Sequence, residues 1–181
     1  MVRVVILIGY GRECNLKAYM TNGTVDFLEK LEKKHPELLL KLMNNNEGAL
    51  AYYEHPTKSI FQSGRTYEVL TTVGDVKATG YVVMNNIPVS IEGKPVFEDR
   101  FVNREQTVEN MPGFQAFRLL RPTRGNTYVV FTQWASKTDF ENWKNSPEFA
   151  DAHKKQTAKP PAYFAERPFI STFHMYVEEE D

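Results

Sequence analysis

The succession of hydrophobic patterns between Lys77 and Val177 restricts the fold more than any other feature of this chain. Ala78 to Ser90 alternates as a strand, with Tyr81, Val83, Asn85, Ile87 and Val89 on one face. Gly93-Lys94-Pro95 then opens a helix whose inner stripe is Phe97, Phe101 and Val108, while Glu98, Asp99, Arg100, Arg104 and Glu105 are expected to meet water. Pro112-Gly113 ends it. Phe114 to Arg121 and Thr127 to Trp134 read as a hairpin about Thr123-Arg124-Gly125-Asn126. Two short helices follow, and Phe169 to Val177 supplies a last strand. The order β-α-β-β-α-β is the split unit of ferredoxin-like α+β folds, an antiparallel sheet with its helices on one side.

The densest chemistry lies in Phe131 to Gln156, which holds both tryptophans and one of four histidines. Ser136 with Asp139 marks a helix start, because a serine oxygen accepts from first-turn amides and a carboxylate meets the positive helix end. Asn145-Ser146-Pro147 breaks that helix and restarts it, with Ser146 as cap and Pro147 where no amide hydrogen is needed. In the second helix Phe149, Ala152, His153 and Gln156 share one face, and Glu148, Asp151, Lys154 and Lys155 the other. An imidazole on an apolar stripe is either a core histidine bonded to backbone or a ligand to a metal or haem. Trp143 is equally open between core packing and ligand contact. Asn85 is the polar member of an apolar strand row, and a buried amide costs on the order of 1–3 kcal/mol unless something bonds it.

The spacing Trp134, Ser136, Phe140, Trp143 and then Ser146, Phe149, Ala152, His153 resembles the IsdG-type haem-degrading monooxygenases of the antibiotic biosynthesis monooxygenase superfamily. The longer HmoB subgroup, with an extra N-terminal domain, is the nearest pattern. The likeness extends from about Leu16 and includes Met84-Asn85-Asn86-Ile87, Asn110-Met111-Pro112-Gly113-Phe114 and Arg118-Leu119-Leu120-Arg121-Pro122. It implies a dimeric α/β-barrel fold in which two such units pack sheet to sheet. It makes His153 the proximal ligand of haem iron and places Asn85 on the distal side, bonding to the oxygen that reacts. Trp143 would press on the porphyrin, with Phe149 in the same wall. Haem is then both cofactor and substrate, opened with O2 and an external electron donor from an unidentified reductase, and iron is released. His174, on the last strand, is a weaker rival ligand. The same scaffold hosts cofactor-independent monooxygenases acting on aromatic substrates and non-catalytic haem-binding or signal-transduction proteins.

A formal net charge of -1 gives no sign of nucleic-acid or membrane partners. Lone Cys14 excludes an internal disulfide framework and fits a reducing cytoplasm. No segment is long and apolar enough to span a bilayer.

Three regions are expected: an extension at 1–15, an N-terminal α+β half at 16–76 and the ferredoxin-like unit at 77–181. Val2 to Ile8 resembles a short strand or a truncated signal core, and its absence from the resemblance suggests translation starting near Leu16. The second region reads as a strand at Leu16 to Met20, a helix faced by Phe27, Leu28 and Leu31 that stops at His35-Pro36, and strands at Leu38 to Met43 and Ala49 to Tyr53. Shorter strands are predicted at Ser59 to Gln62 and Tyr67 to Thr72, with His35 and His55 at the surface. This half carries no catalytic constellation. It is expected to act as a degenerate second unit, making a monomer that imitates the family's dimer, the alternative being a homodimer. Residues 157–168 form a connection too long for a compact joint. They read as a flap in which Tyr163 or Phe164 covers a ligand while Lys159 or Arg167 meets its carboxylates, or else as a rigid surface loop.

Overall fold

The computed structural model describes residues 15–103, 108–153 and 162–178. The extension at 1–14, with Cys14, and residues 154–161, with Lys154, Lys155, Gln156 and Lys159, lie outside the described residues.

Among the described residues, eight strands form one closed barrel and four α-helices lie on its outside. The first half contributes β1 (Lys17–Gly23), α1 (Val25–Lys34), β2 (Lys41–Asn45), β3 (Gly48–His55) and β4 (Arg65–Val73). The second contributes β5 (Tyr81–Pro88), α2 (Lys94–Val102), β6 (Phe114–Pro122), β7 (Thr127–Trp134), α3 (Lys137–Lys144), α4 (Pro147–His153) and β8 (Phe169–Met175). Around the barrel the order is β1-β3-β2-β8-β5-β7-β6-β4. Each half is therefore a four-stranded antiparallel sheet whose strands, counted in chain order, lie 4-1-3-2, the ferredoxin-like arrangement. The sheets join where β2 meets β8 and where β4 meets β6. One chain thus makes both walls of the barrel.

The strand alternation decides what fills it. Met20, Leu50, Tyr52, Val82, Met84, Leu120, Val129, Phe131 and Phe173 point inward and form a single lumen core, with Tyr52 of β3 stacked on Phe131 of β7 at 5.2 Å. One charged pair sits in this lumen. Arg118 of β6 is 3% exposed and donates from Nε to Glu54 of β3 at 2.6 Å and from Nη1 to the carbonyls of Val73, Gly74 and Phe117. The Tyr52 hydroxyl donates to the same Glu54 oxygen at 2.5 Å, and burial followed by the Glu54 charge holds that phenol well above its ordinary range. The pair bridges the two halves.

Outside the barrel the halves differ. In the first, α1 covers the sheet through Leu28, and the stretch predicted as a strand at Ser59 to Gln62 is instead an irregular segment. It packs Ile60 and Phe61 against Tyr53, whose ring stacks on Tyr19 at 4.8 Å. Tyr53 holds the segment by donating to the Lys58 carbonyl and accepting from the Ile60 amide, so the ladder is replaced by side-chain bonding. No second helix stands there. In the second half α2 and α3 build a larger cluster over β5, β6 and β7, and α4 adds Phe149 against Trp143. Glu98, expected to meet water, is instead clamped. Arg121 donates to both its oxygens, at 2.7 and 2.6 Å, and Tyr128 donates to one of them, which fastens α2 to β6 and β7.

Removing one partner of a buried pair leaves the other charge uncompensated, so Glu54→Ala should cost about 3–5 kcal/mol of stability in urea unfolding followed by circular dichroism. Replacing the pair together, Glu54→Leu with Arg118→Met, should restore most of it. A single-variant loss below about 1 kcal/mol would contradict a bridge between the halves.

Candidate functional site: a one-sided cleft over β5 and β8

The helices beside this cleft start where the serines place them. The Ser136 hydroxyl oxygen accepts from the Asp139 amide at 3.1 Å and caps α3, while that of Ser146 accepts from the Phe149 amide at 3.2 Å and caps α4. Each cap contributes about 1 kcal/mol. The break at Asn145 turns the chain so that α4 carries His153 back beside Trp143.

His153 is half-buried, and its ring stacks on Phe149 at 3.9 Å. Its Nδ1 lies 2.7 Å from the Phe149 carbonyl oxygen. A carbonyl only accepts, so Nδ1 carries the proton and the lone pair is on Nε2, which has no partner among the described residues. The backbone partner of the core reading is present, and the other nitrogen has no partner among the described residues. Ala152, expected on the inner face, is exposed, whereas Phe149 and His153 are turned in.

Trp143 joins the wall. Its ring stacks on fully buried Trp134 at 5.3 Å and meets Phe149 edge-on at 4.8 Å. Its indole Nε1 is buried with no acceptor, alone in this among the described side chains. An unpaired buried donor of this kind costs on the order of 1–3 kcal/mol, a cost that a ligand acceptor would relieve.

The floor is the helix-side face of β5 and β8. Tyr81, Val83, Ile87 and Val89 belong to the same cluster as Trp134 and Trp143, so Asn85, in register with them, projects toward the side that carries His153. Its carboxamide has no hydrogen-bond partner among the described residues. Opposite it on β8 is Ile170, which is 60% exposed, followed on that face by half-buried Thr172 and exposed His174. Among the described residues, no helix covers Ile170 or His174 on this strip. His174 instead contacts Tyr81 at 5.0 Å, farther along the strip than Asn85. Asn86 points the other way and is occupied by the Met84 and Phe169 carbonyls and the Ser171 hydroxyl.

Tyr163 and Phe164 are pinned near one end of the strip. Val89 bridges to Phe164, the Ser90 amide donates to the Tyr163 carbonyl at 2.8 Å, and Arg100 donates to the Tyr163 hydroxyl at 2.6 Å. This part of the connection is a fixed edge and not a free flap; Arg167 is exposed. Ile170, Thr172 and the free Nε2 escaped sequence reasoning. The strand register that puts Ile170 beside Asn85 spans 85 residues, and an α-helical i to i+4 bond to a carbonyl has no signature in residue type.

Two other grooves lie away from this cleft, one lined by Glu29, Asn44 and Tyr176 and the other by Arg65 and Arg124. No group of three His, Cys, Asp or Glu side chains gathers among the described residues. A single free imidazole nitrogen beside a flat apolar wall suits a metal whose remaining ligands come from a macrocycle, so the residues present fit haem. No described helix is long and apolar enough to cross a membrane.

The fold is a ferredoxin-like α+β barrel. Residues 80–155 match the family model described as antibiotic biosynthesis monooxygenase. The chain is 29% identical over 131 residues to a heme-degrading monooxygenase of Listeria monocytogenes, covering 72% of this chain and 78% of the relative. It is 27% identical over 137 residues to the signal transduction protein TRAP of Staphylococcus epidermidis, covering 76% and 82%. In three dimensions it resembles the structure of a major regulator of staphylococcal pathogenesis, with a TM-score of 0.79, 24% identity and coverage of 87% and 98%, a likeness of fold.

The clamp on α2 makes this half acid-sensitive. Arg121, and more weakly Tyr128, hold the Glu98 carboxyl below the ordinary carboxylate range against the opposing effect of burial. A lowered folded-state pKa stabilises fully above the unfolded value, near pH 4.3, and is lost as pH falls through the folded value. Glu98→Gln should flatten the acid limb of the stability curve, measured as urea midpoints across pH 2.5 to 7 (about the range where carboxylates titrate); an unchanged limb would show that the clamp contributes nothing.

Proposed function

We propose that the chain is a haem-degrading monooxygenase that binds haem in the cleft between α4 and the β5–β8 strip. The observation that carries this reading is His153, an imidazole whose Nδ1–H is fixed on the Phe149 carbonyl so that Nε2 offers its lone pair. That bond selects the tautomer, orients the ring and makes the other nitrogen a better donor, as a backbone carbonyl does for a metal-bound histidine. Bound haem supplies the redox chemistry with O2 and an external electron donor, and is itself consumed.

The chain's own residues do the rest. His153 would hold the iron through Nε2 from the helix side. Asn85, unpaired on the strand face, would offer a hydrogen-bond donor to the oxygen chemistry that haem supplies. Trp143, braced from behind by Trp134, would form a rigid wall against the bound macrocycle. The apolar rings of Phe149 and Trp143 exclude water from the reacting face. The similarity to a heme-degrading monooxygenase supports the assignment.

A second reading, a haem-binding signalling protein without turnover, is favoured by the comparable similarity to a signal transduction protein. Haemin added to the purified protein separates the two. A shifted Soret band that decays to an open-chain tetrapyrrole with reductant in air is expected; binding without decay supports the signalling reading, and absence of binding contradicts both. His153→Ala should abolish the iron-ligand spectrum. Asn85→Ala should bind haem normally but open the ring at least about tenfold more slowly, the scale of one lost positioning hydrogen bond. Trp143→Phe at the parental rate would remove the distortion role.

A further inference from the structure

Away from the cleft, at the barrel end where the two halves meet, a groove of about 430 Å³ is lined by Arg65 and Arg124 and by no carboxylate. The arginines come from different halves. Arg65 opens β4, and Arg124 sits in the turn between β6 and β7. Their approach is built into the backbone: the Thr123 amide and hydroxyl both donate to the Thr66 carbonyl at 3.0 Å, tying that turn to the start of β4. Arg65 is oriented by Asn22, whose side-chain oxygen accepts from Nη2 at 2.9 Å. Arg124 has no hydrogen-bond or ion-pair partner among the described residues.

The third side of the groove is the loop at Gln62-Ser63-Gly64. The Thr21 hydroxyl donates to the Ser63 carbonyl at 2.7 Å and fixes this loop on β1, while the Ser63 and Gly64 amides find no acceptor among the described residues. Both arginines and the Ser63-Gly64 segment are exposed to water, so an anion in the groove would meet two guanidinium groups and backbone N–H donors from one side.

We propose that this groove binds a phosphate-bearing small molecule of about mononucleotide size. Phosphate is favoured over carboxylate by donor count: two forked guanidiniums and adjacent amides offer more donors than two oxygens can accept, whereas a terminal phosphate presents three. The volume lies at the lower end of the range of small-molecule pockets.

Calorimetric titration of the full chain with pyrophosphate, inorganic phosphate and citrate, at low and at physiological ionic strength, tests it. Pyrophosphate is expected to bind once per chain and to remain measurable at the higher salt. Arg65→Gln and Arg124→Gln should each weaken it about tenfold or more, the scale of a lost charge-assisted hydrogen bond. Arg124→Lys should recover part of the loss, since it keeps the charge and loses the fork. Unliganded melting temperatures and the haemin spectrum should be unchanged in all three variants, which separates this site from the cleft. Absence of pyrophosphate binding, equal affinity for citrate, or parental affinity in both glutamine variants would overturn the assignment.

Discussion

Each four-stranded sheet has an apolar face that helices leave open and only the other sheet can cover, and that requirement sets the architecture. The lumen core draws on both halves, with Tyr52 of β3 lying on Phe131 of β7 and Arg118 of β6 buried against Glu54 of β3. Neither half could leave that face in water without exposing a row of large side chains, and neither could lose its half of the ion pair without stranding a charge. A barrel that two identical chains would close by symmetry is here closed by one chain with two unlike halves. Freed from symmetry, the outer faces are able to diverge.

They differ in a way that leaves part of the second sheet uncovered among the described residues. On the first half, Tyr19, Tyr53 and Phe61 pack over the sheet where a second helix would stand. On the second, the interrupted helix pair α3 and α4 brings Trp143 and His153 over one side of the sheet while the β8 edge stays bare at Ile170. Nε2 of His153, the Asn85 carboxamide and Nε1 of Trp143 are all without partners among the described residues, the first two half-buried and the third buried. A buried donor is normally satisfied, so the Trp143 Nε1, with two open polar groups on the same side of the sheet, argues for a ligand.

Much of this was legible in the sequence because it rests on local signals. The β-α-β-β-α-β order, the serine caps at Ser136 and Ser146, the helix break at Asn145 and the face shared by Asn85 with Val83 and Ile87 follow from periodicity and capping within a few residues. What depends on contacts between distant parts of the chain was not. Glu98 looks like any exposed helix carboxylate until Arg121, 23 residues later, reaches it. Arg118 occupies an inward strand position where a hydrophobic residue is expected, and only Glu54 from the other half explains it. Ser59 to Gln62 has strand composition, but the Tyr53 hydroxyl offers its backbone an alternative partner. At the cleft, residue identities pointed to His153, Trp143 and Asn85, while the bare floor at Ile170 follows from a strand register that residue types do not encode.

The account stands on His153 offering Nε2 to a flat macrocycle while Asn85 looks on from the sheet. The structure of the protein crystallised with haem measures this directly. Iron on the Nε2 atom of His153, with the ring lying over Ile170 and the Asn85 carboxamide on its opposite face, is the expected result. Haem held through His174, or bound anywhere but the β5–β8 strip, would contradict it.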